Sequence, residues 1–569
     1  MTAKERYERW LRLAPAAGDV SGDAAALSEE EREEAFEGLI PFGTSGLRAV
    51  MGPGTARMNV LTVRLAAGAL ARAIPERPDV FGGNGVCVCY DCRNSSRIFA
   101  EACAEVLAEA GIPVLFFGDM RPTPEISFAV LRYGCAAGIN ITASHNPKEY
   151  NGLKIYSADG GQLVTEPAEA IAARMSEEDL YRPAPALRFE EAVRSGAVRL
   201  LEEETDEAFL AQVYRTAAPC GRIPADLKIV YTPFHGTGRE VIPRALRAMG
   251  AERLFCVPEQ MVPDGDFSTV ASPNPEYPES FRLAEELADR EGADWIVGSD
   301  PDADRVAVLY RGPDGRFVHP DFNVTGGVLF VWYLEKLRAA GALPEKPVMM
   351  KSIVTAPLAG AAAERLGCAC RETFTGFKYI TAEMDRLQQA GEGTVIFSFE
   401  ESYGCMTGDY CRDKDAVSAA VLLCVMAGEL ASRGKTFADA EKEYYERFGY
   451  GETRTVSLTA PGLAGRRRIA GVMEKLRTEP PAEVAGLPVL AREDMLAGVR
   501  TDAAGNTEPT ALKGEDVLRL ILSGGSEALI RPSGTEPKLR VYVSARGKKD
   551  ECGRIRADLE RWARSLLEG

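Results

Sequence analysis

Apolar and polar positions repeat along the chain in three similar units. In each unit a β-rich run leads through a polar turn into an Ala-rich helical segment, then a second strand, and then a third strand that opens onto a polar loop. The units occupy residues 85–147, 227–306 and 347–404. Strands that alternate with helices predict mixed or mostly parallel sheets covered by helices, with ligand loops gathered at the strand ends. The pattern therefore predicts three related α/β domains.

The pattern changes after the third unit. A helical stretch over Ala416–Ser432 closes that unit, and a Pro-, Gly- and Ala-rich region over 461–488 indicates a connector or a domain edge. Residues 517–547 then alternate apolar and polar side chains, and a charged helix over 550–568 follows, which predicts a smaller α+β domain. The first forty residues predict an amphipathic helix. We expect four domains around a central cleft, at 1–205, 206–322, 323–455 and 456–569.

Composition narrows the class of protein. Apolar residues make up 46% and charged residues 27% of the 569 positions, which is typical of a soluble globular protein. The 67 basic and 84 acidic residues give a net charge of −17, so we expect no broad nucleic-acid surface, and an anionic ligand needs a local basic pocket. The longest apolar run, 416–428, is too short to span a bilayer, and residues 1–12 contain no apolar signal core. We expect a cytoplasmic protein without a membrane partner.

The thirteen cysteines show no disulfide framework. An odd number leaves at least one thiol unpaired within the chain, and reduced thiols fit a cytoplasmic protein. The closest group, Cys87, Cys89 and Cys92, has the spacing of a partial zinc site, but no second cysteine pair accompanies it and the chain has only three histidines. Buried strand cysteines are the other interpretation of this group.

A serine follows the apolar strand of the first unit. The loop reads TASHNP over 142–147, and its small residues and proline restrict the backbone around Ser144. A serine hydroxyl is a weak nucleophile unless a base or a metal activates it, and His145 is its neighbour in sequence. The loop either presents a nucleophilic hydroxyl or is an ordinary turn.

Three carboxylates at alternate positions follow the strand of the second unit. The loop GSDPDADR over 298–305 carries Asp300, Asp302 and Asp304, whose oxygens can converge on one hard cation. A calcium EF-hand loop is excluded, because its sixth and twelfth positions hold Arg305 and Arg311 here instead of Gly and Glu. Magnesium binds through few carboxylates with a phosphate completing its shell, so we expect Mg²⁺ and a phosphorylated group, the alternative being a solvated acidic turn.

Carboxylates and a hydroxyl follow the strand of the third unit. The loop FEESYG over 399–404 offers Glu400 and Ser402 as acceptors for sugar hydroxyls, or it is an exposed turn. The cationic residues Lys378, Arg412 and Lys414 lie before and after this loop in sequence. Either ion pairs or a phosphate site would explain them.

The C-terminal segment contains a turn suited to phosphate. RPSGTEPKLR over 531–540 combines a glycine, two hydroxyls and flanking arginines, which can hold a phosphate by charge-assisted hydrogen bonds.

Two segments that resemble nucleotide-binding motifs do not have the required spacing. The GKT at 434–436 lacks the earlier glycine and the preceding strand of a P-loop, and GTGREV at 236–241 lacks the third glycine of a dinucleotide fingerprint.

These loops together resemble those of a known family. TASHNP, GSDPDADR, FEESYG and RPSGTEPKLR, in that order and with FGTSGLR at 42–48, are similar to the motifs of the α-D-phosphohexomutase superfamily, over about 41–540. In the third loop, Tyr403 and Gly404 follow the serine where many bacterial phosphomannomutases have Gly-His. That form resembles the branch that holds bacterial phosphoglucomutases, phosphopentomutases and glucose-1,6-bisphosphate synthases.

The resemblance implies a role for each matching residue. Ser144 would carry the phosphoryl group, and Ser144, Asp300, Asp302 and Asp304 would bind Mg²⁺. Proton transfer would fall to basic residues near the reacting oxygens: Arg48, His145, Lys154 and Lys378. Sugar and phosphate contacts would come from Arg305, Glu400, Ser402 and Lys414, and from the C-terminal loop residues Arg531, Ser533, Gly534, Thr535 and Arg540.

The resemblance also implies a reaction. The expected activity is interconversion of glucose 1-phosphate and glucose 6-phosphate through a phosphoserine and a glucose 1,6-bisphosphate intermediate. Mannose or ribose phosphates are the alternative substrates, and a non-catalytic sugar-phosphate-binding protein is the alternative class. We expect a monomer or a weak homo-oligomer, with the C-terminal domain closing over the sugar as a hinged unit.

Overall fold

The computed structural model describes residues 1–18, 21–43, 46–533 and 537–567. Domain I has a six-stranded sheet in the order β1-β5-β4-β2-β3-β6. Its strands are β1 (Gly46–Val50), β2 (Val86–Tyr90), β3 (Val114–Phe117), β4 (Ala137–Ile141), β5 (Tyr150–Tyr156) and β6 (Val198–Leu201). Its helices are α1 (Ala3–Leu13), α2 (Glu29–Ala35), α3 (Val60–Glu76), α4 (Ser96–Glu109), α5 (Thr123–Tyr133), α6 (Thr165–Ala172) and α7 (Phe189–Ser195). The N-terminal forty residues thus form two α-helices and not one continuous helix.

Domains II and III have smaller sheets, in the orders β11-β10-β9-β7-β8 and β13-β12-β14-β15. Domain II contains α8 (Glu203–Ala217), β7 (Lys228–Thr232), α9 (Gly238–Ala248), β8 (Arg253–Cys256), α10 (Arg282–Glu291), β9 (Trp295–Ser299), β10 (Val306–Arg311) and β11 (Phe317–Val318). Domain III contains α11 (Phe322–Ala339), β12 (Pro347–Ser352), α12 (Pro357–Arg365), β13 (Ala369–Thr373), α13 (Phe377–Ala390), β14 (Thr394–Glu400), β15 (Gly404–Thr407), α14 (Ala416–Ser432) and α15 (Phe437–Phe448).

The three domains share one four-stranded unit. In each unit the first strand lies between the second and third strands and is parallel to both, and the fourth strand is antiparallel to the third. The spatial orders are β5-β4-β2-β3, β10-β9-β7-β8 and β15-β14-β12-β13. The loop after the third strand of each unit therefore occupies the same place in each domain. These loops carry the serine, the aspartate trio and the Glu400 motif, so the repeat read from the sequence corresponds to a repeat in the fold.

Domain IV is an eight-stranded antiparallel sheet with two long helices. Its elements are β16 (Tyr450–Thr459), α16 (Gly462–Thr478), β17 (Glu483–Val484), β18 (Leu487–Asp494), β19 (Val499–Asp502), β20 (Thr507–Pro509), β21 (Leu518–Leu522), β22 (Glu527–Pro532), β23 (Lys538–Gly547) and α17 (Lys549–Ser565). Two features differ from the sequence expectation. The region 461–488 holds α16 and β17, and β16 begins a few residues before the predicted boundary at 456, because it pairs with β23 along its whole length.

The domains are joined to different degrees. Domains II and III share one continuous apolar core that includes buried residues from both sheets. Domain IV has its own core, and a smaller cluster joins it to domain III. That cluster consists of Ile353, Val354 and Phe374 from domain III with Met495, Val517, Leu529 and Tyr542 from domain IV. Domain IV is therefore attached through a limited apolar contact.

Two further sequence expectations concern helices and cysteines. Within the described ranges no single helix is long and apolar enough to cross a membrane, and only the bent pair of α14 and α15, at 93°, meets the length and composition criteria together. The apolar character of α14 on all its faces is explained by its burial, from Ala416 to Gly428. All thirteen cysteines are free thiols, and Cys87 and Cys89 are buried strand residues of β2.

Candidate active site

The serine loop, residues 142–147, begins where β4 ends. Ser144 has a φ of 51°, in the left-handed region, and its backbone N–H donates to Thr142 Oγ1 at 2.9 Å. Its hydroxyl donates to Asp300 Oδ2 at 2.7 Å and lies 3.2 Å from His145 Nδ1. A strained backbone of this kind persists only where the surrounding structure holds it. The loop thus presents the serine oxygen directly to the acidic loop of domain II.

The acidic loop, residues 300–305, forms a buried group of carboxylates. Asp300, Asp302 and Asp304 are 0–2% exposed, and one oxygen of each lies within 4.8 Å of the others. Asp302 Oδ1 and Asp304 Oδ1 are buried and accept no hydrogen bond from the described residues. Burial, and then the neighbouring carboxylates, raises the pKa of Asp300 well above its usual value. Buried oxygens that repel one another and keep open acceptor positions fit a hard divalent cation.

Two lysines lie against the acidic loop. Lys154 Nζ on β5 is 2.9 Å from Asp302 Oδ2 and 3.4 Å from Asp304 Oδ2. Lys414 Nζ is 3.0 Å from Asp304 Oδ2 and 3.2 Å from Asp413 Oδ1. Burial acts to lower the pKa of Lys154, but Asp302 and Asp304 raise it above its usual value. Both amines are therefore ammonium groups that can donate to a substrate oxygen.

His145 and Arg48 lie on the open side of the serine. Burial, and then the positive charges of Arg305 and Arg48, lowers the pKa of His145 well below its usual value. The imidazole is thus neutral near pH 7, 3.2 Å from the serine oxygen. The exposed Arg48, on β1, donates to Asn146 Oδ1 at 3.4 Å. The pair provides a proton acceptor and a cation next to the reacting hydroxyl.

Arg305 braces the acidic loop within domain II, and Glu400 lies at the end of β14 in domain III. The backbone N–H of Arg305 donates to Asp300 Oδ1 at 3.0 Å, and its guanidinium donates to Glu276 Oε1 at 2.8 Å. Glu400 is 5% exposed, and its Oε1 accepts the N–H of Gly376 at 2.8 Å. Burial raises the pKa of Glu400, although Lys414 acts in the opposite direction. Arg305 therefore braces the loop from one side.

Lys378 lies at the start of α13, two residues after the glycine that binds Glu400. Its amine is 4.9 Å from the centre of the Tyr379 ring, and the residue is 7% exposed. Burial lowers the pKa of Lys378 to about 8, with Glu515 acting to raise it. A lysine with this pKa can give and take a proton near neutral pH.

The third loop is held against domain II. The carbonyl of Tyr403 accepts the N–H of Val306 at 2.9 Å, and its ring stacks on His319 with centres 5.5 Å apart. Tyr403 has a φ of 68°, and the half-buried Ser402 precedes it. These contacts hold the loop that carries Glu400 and Ser402 against β10, the strand that follows the aspartates.

The C-terminal loop joins β22 to β23. Arg531 and Arg540 are direct cross-strand partners, and the N–H of Ser533 donates to the carbonyl of Lys538 at 2.8 Å. Both arginines are half-buried. Two arginines paired across neighbouring strands form a basic position for an anion. The predicted contacts Gly534 and Thr535 lie outside the described residues.

Contacts connect this loop to the third loop. Arg540 interacts with Tyr542, and burial and then Glu401 raise the pKa of Tyr542. Glu401 accepts hydrogen bonds from Ser352 Oγ at 3.3 Å and Thr355 Oγ1 at 3.1 Å, and burial with Glu400 raises its pKa to about 7. The Tyr379 hydroxyl donates to Glu515 Oε1 of domain IV at 2.9 Å. The Tyr379 hydroxyl therefore joins domain III to domain IV near Arg531.

Sequence reasoning missed several residues that hold the site. The side chain of Arg93 is fully buried and donates to the carbonyls of Ser144 and Asn146. Thr123 Oγ1 donates to Asp302 Oδ2 at 3.0 Å, and Tyr156 donates to Asp413 Oδ2 at 2.8 Å. The signal for Arg93 was available, because the charged DCR at 91–93 follows a fully apolar strand.

The arrangement can transfer a phosphoryl group. The Ser144 hydroxyl contacts Asp300 of the carboxylate trio and lies 3.2 Å from a neutral imidazole, and an ammonium group pairs with Asp302 of the same trio. A separate basic position can hold a second anion of the same molecule. Phosphoryl transfer needs charge neutralisation, positioning and a proton acceptor, and each is present.

Comparisons with known proteins agree with this geometry. Phosphoglucomutase/phosphomannomutase alpha/beta/alpha domains I, II and III match residues 40–182, 209–313 and 326–448, and the C-terminal domain of the same family matches 476–561. A phosphoglucomutase from Staphylococcus saprophyticus is 36% identical over 519 residues, 91% of this chain and 92% of that protein. A phosphoglucomutase from Staphylococcus aureus strain MRSA252 is 35% identical over 522 residues, 91% of each chain.

Solved structures show the same fold. The crystal structure of a putative phosphomannomutase from Thermus thermophilus matches with a TM-score of 0.67 and 25% identity, covering 94% of this chain and 100% of that one. The family matches run through all four domains and include the loops described above. The chain therefore belongs to the phosphoglucomutase/phosphomannomutase family.

Proposed function

We propose that this protein interconverts glucose 1-phosphate and glucose 6-phosphate through a phosphoserine at Ser144 and a glucose 1,6-bisphosphate intermediate. The observation that carries the proposal is the 2.7 Å contact of the Ser144 hydroxyl with Asp300 inside a buried carboxylate trio. Glucose is the proposed sugar because relatives at 35–36% identity over nine-tenths of the chain are named phosphoglucomutases.

We propose Mg²⁺ as the cation. Ser144, Asp300, Asp302 and Asp304 would hold it. The buried oxygens Asp302 Oδ1 and Asp304 Oδ1, which accept no hydrogen bond from the described residues, support this fit. Bound there, Mg²⁺ supplies positive charge that offsets the charge of the transferring phosphoryl group. The choice of magnesium rests on the all-oxygen donor set.

The side chains of the chain itself divide the remaining work. His145, neutral and next to the serine oxygen, accepts a proton, and Lys154 donates to an oxygen of the phosphoryl group. Lys378, with a pKa of about 8, exchanges a proton with a sugar hydroxyl. Glu400 and Ser402 orient the sugar, and the pair Arg531 and Arg540 holds the phosphate that does not react.

The cycle needs the sugar to bind in two orientations. Phospho-Ser144 gives its phosphoryl group to the monophosphate, the bisphosphate turns end over end, and its other phosphate returns to Ser144. The distant arginine pair accepts either phosphate, because it recognises charge and not the ring position that bears it.

A coupled assay tests the proposal. Purified protein with Mg²⁺ and a catalytic amount of glucose 1,6-bisphosphate should convert glucose 1-phosphate to glucose 6-phosphate, and Ser144→Ala should lower kcat by about 10³-fold or more. Ser195→Ala is the control, since Ser195 is an exposed serine of the same domain whose hydroxyl donates only to Ala192 O. Wild-type turnover by Ser144→Ala would reject the phosphoserine.

The sugar is tested separately. Values of kcat/KM for glucose, mannose and ribose 1-phosphates should be highest for glucose, because relatives at 35–36% identity are named phosphoglucomutases. A higher value for mannose or ribose would transfer the assignment to a phosphomannomutase or phosphopentomutase and leave the phosphoserine chemistry unchanged. Binding of all three sugars without turnover would identify a sugar-phosphate-binding protein.

A further inference from the structure

Arg93 is a buried cation that takes no direct part in the proposed chemistry. Its NH2 group donates to the carbonyls of Ser144 at 2.6 Å and Asn146 at 2.5 Å, and its NH1 group donates to those of Pro147 at 2.9 Å and Tyr150 at 3.0 Å. Its side chain is 0% exposed, so it cannot touch a substrate. One guanidinium therefore fixes four backbone carbonyls of a single loop.

Arg93 can control where the carbonyl oxygens of the serine loop point, which affects how the loop interacts with a negatively charged group. A backbone carbonyl oxygen carries partial negative charge and repels a dianionic phosphoryl group. Each carbonyl that Arg93 binds is held in a fixed direction by a charge-assisted hydrogen bond. Only the planar fork of arginine can bind several carbonyls in this way, since a lysine ammonium is a point charge on a flexible stem.

A loop of domain II covers the other face of Arg93. In this loop, residues 262–270, the Phe267 ring lies 5.1 Å from the Arg93 guanidinium carbon and is 2% exposed. Gly265 packs so closely on domain I that a Cβ there would lie 2.4 Å from Asn94 N. Asp266 Oδ1 is 3.4 Å from Lys148 Nζ, one residue beyond the serine loop. The covering loop therefore touches both Arg93 and the segment that Arg93 holds.

His235 ties the two ends of the covering loop together. Its Nδ1 is 2.8 Å from the carbonyl of Val262, and its Nε2 is 2.7 Å from Thr269 Oγ1. His235 has a φ of 69° and belongs to the PFHGTG segment, which is not a dinucleotide motif. The same segment contacts the acidic loop, since the N–H of Thr237 donates to the carbonyl of Pro301 at 2.8 Å. One segment thus supports both the acidic loop and the cover of Arg93.

We propose that Arg93 is a positioning residue that sets the backbone of the serine loop for phosphoryl transfer, and that Phe267 of domain II holds it in place. Contact between domains I and II then determines whether the serine loop is ordered. This inference rests on the proposed phosphoserine function, but it predicts a backbone order that is measurable without turnover.

The first test separates geometry from charge. Arg93→Lys keeps the positive charge and loses the fork, so we expect kcat to fall about 100-fold, as a misplaced reacting group does, with KM within about twofold. Hydrogen exchange followed by mass spectrometry should show faster exchange over 143–150 while α3 and α4 are unchanged. The phosphorylation of Ser144 by glucose 1,6-bisphosphate, followed by intact mass, should slow in parallel.

The second test leaves domain I unaltered, in case the loss of Arg93 prevents folding. Phe267→Leu removes the aromatic face and should lower kcat about fivefold, the value of a cation–π contact. Gly265→Ala drives a methyl group into Asn94 and should raise exchange over 143–150. Phe317→Leu is the matched control, because it removes the cation–π pair with Arg311, 4.3 Å apart, at the far edge of the same domain. It should leave both readouts unchanged.

The outcomes distinguish this inference from the proposed function. Normal kcat and normal exchange in Arg93→Lys would overturn the positioning role, because charge alone would then suffice. Equal effects of Phe267→Leu and Phe317→Leu on kcat and on hydrogen exchange would overturn the proposal that Phe267 holds Arg93 in place. If the wild type showed no sugar-phosphate turnover, the proposed function would fail, and the exchange experiment would still decide whether Arg93 orders the loop.

Discussion

The two ends of the cleft are built differently. At the serine end, Ser144, the aspartates and both lysines are 0–8% exposed and come from three domains that bond directly to one another. At the basic end, Arg531 and Arg540 are half-buried on the sheet of domain IV, which contacts domain III through a small apolar cluster. The groups that we propose to react are thus fixed by contacts among three domains, and the proposed phosphate anchor lies on domain IV, which has its own core.

This difference matches what each end has to do. The reacting end must hold charges in fixed positions, because a preorganised site gains most from electrostatics in a dry environment. In the proposed cycle the anchor admits and releases a sugar phosphate in two orientations, which requires access and movement. Substitutions at the two ends should therefore affect different quantities.

The largest effect is expected at the acidic loop. Asp302→Asn removes one charge of the trio and the ion pair with Lys154, so kcat/KM should fall about 10³-fold, equivalent to about 4 kcal/mol. Steady-state kinetics at several Mg²⁺ concentrations measures this loss. The exposed Asp314→Asn in the turn before β11 is the control, and a loss of less than tenfold at residue 302 would contradict a rigid reacting end.

The next largest effect is expected on stability, at the ion pairs between domains III and IV. Glu372 pairs with the buried Lys351 at 2.6 Å and with Arg519 of domain IV at 2.8 Å, so Glu372→Gln should lower the free energy of unfolding by about 3 kcal/mol. Denaturant titration measures the change. The control is Glu392→Gln, which removes the exposed ion pair of Glu392 with Arg386 and should change the free energy of unfolding by less than about 1 kcal/mol.

The same pair should show a defined pH dependence. Burial acts to raise the pKa of Glu372, but Lys351 and Arg519 lower it from 4.5 to about 2. The stabilisation is therefore complete above about pH 4.5 and is lost as pH falls toward 2. Glu372→Gln should lack this part of the acid sensitivity, and an identical decline of the two proteins between pH 5 and 3 would argue against the pair.

A smaller effect is expected at the anchor. Arg540→Lys loses planar recognition of a phosphate but keeps its charge, so KM for glucose 1-phosphate should rise about tenfold to thirtyfold, or about 2 kcal/mol. The phosphorylation level of Ser144 at saturating bisphosphate should stay normal. Arg561→Lys, exposed on α17, is the control, and a loss confined to kcat would place Arg540 at the reacting end instead.

The smallest effect is expected on stability, at a buried glutamate where domain I contacts domain II. Glu125 on α5 is 0% exposed, neither carboxylate oxygen has a hydrogen-bond partner among the described residues, and burial with Asp206 raises its pKa well above the usual value. A raised pKa contributes stability at low pH that is lost as pH rises through it. Glu125→Gln should therefore lose less stability than wild type as pH rises above about 4.5, measured by thermal unfolding. The exposed Glu190→Gln should show no such difference.

Much of the fold followed from local patterns. The three repeated units were readable because a fully buried parallel strand is a continuous apolar run, as in β2, β4 and β9, and because the same order of elements returns each time. The region 461–488 was less clear, since its many Pro, Gly and Ala residues obscure the buried stripe of α16, which consists of Ile469, Met473 and Leu476. Its helix forms on a sheet built from distant strands.

The sequence predicted the charged loops of the candidate site, but it did not predict the residues that hold those loops in place. Ser144, the aspartates and Arg540 stand in short runs of unusual composition, whereas Arg93 is marked only by the charged DCR that follows an apolar strand, and Phe267 looks like an ordinary loop residue. Their role comes from a contact between residues 174 positions apart, which no local pattern encodes.

By itself the sequence determined the repeated strand–helix units, the chemistry-bearing loops at the strand ends and the family that they resemble. These depend on hydrophobic period and on side-chain type, which are local properties of the chain. Tertiary structure alone decided that Ser144 touches Asp300, that Lys154 and Lys414 reach the same carboxylates, and that domain IV is joined by a limited contact. These depend on distances between domains, and packing fixes such distances only when the whole chain has folded.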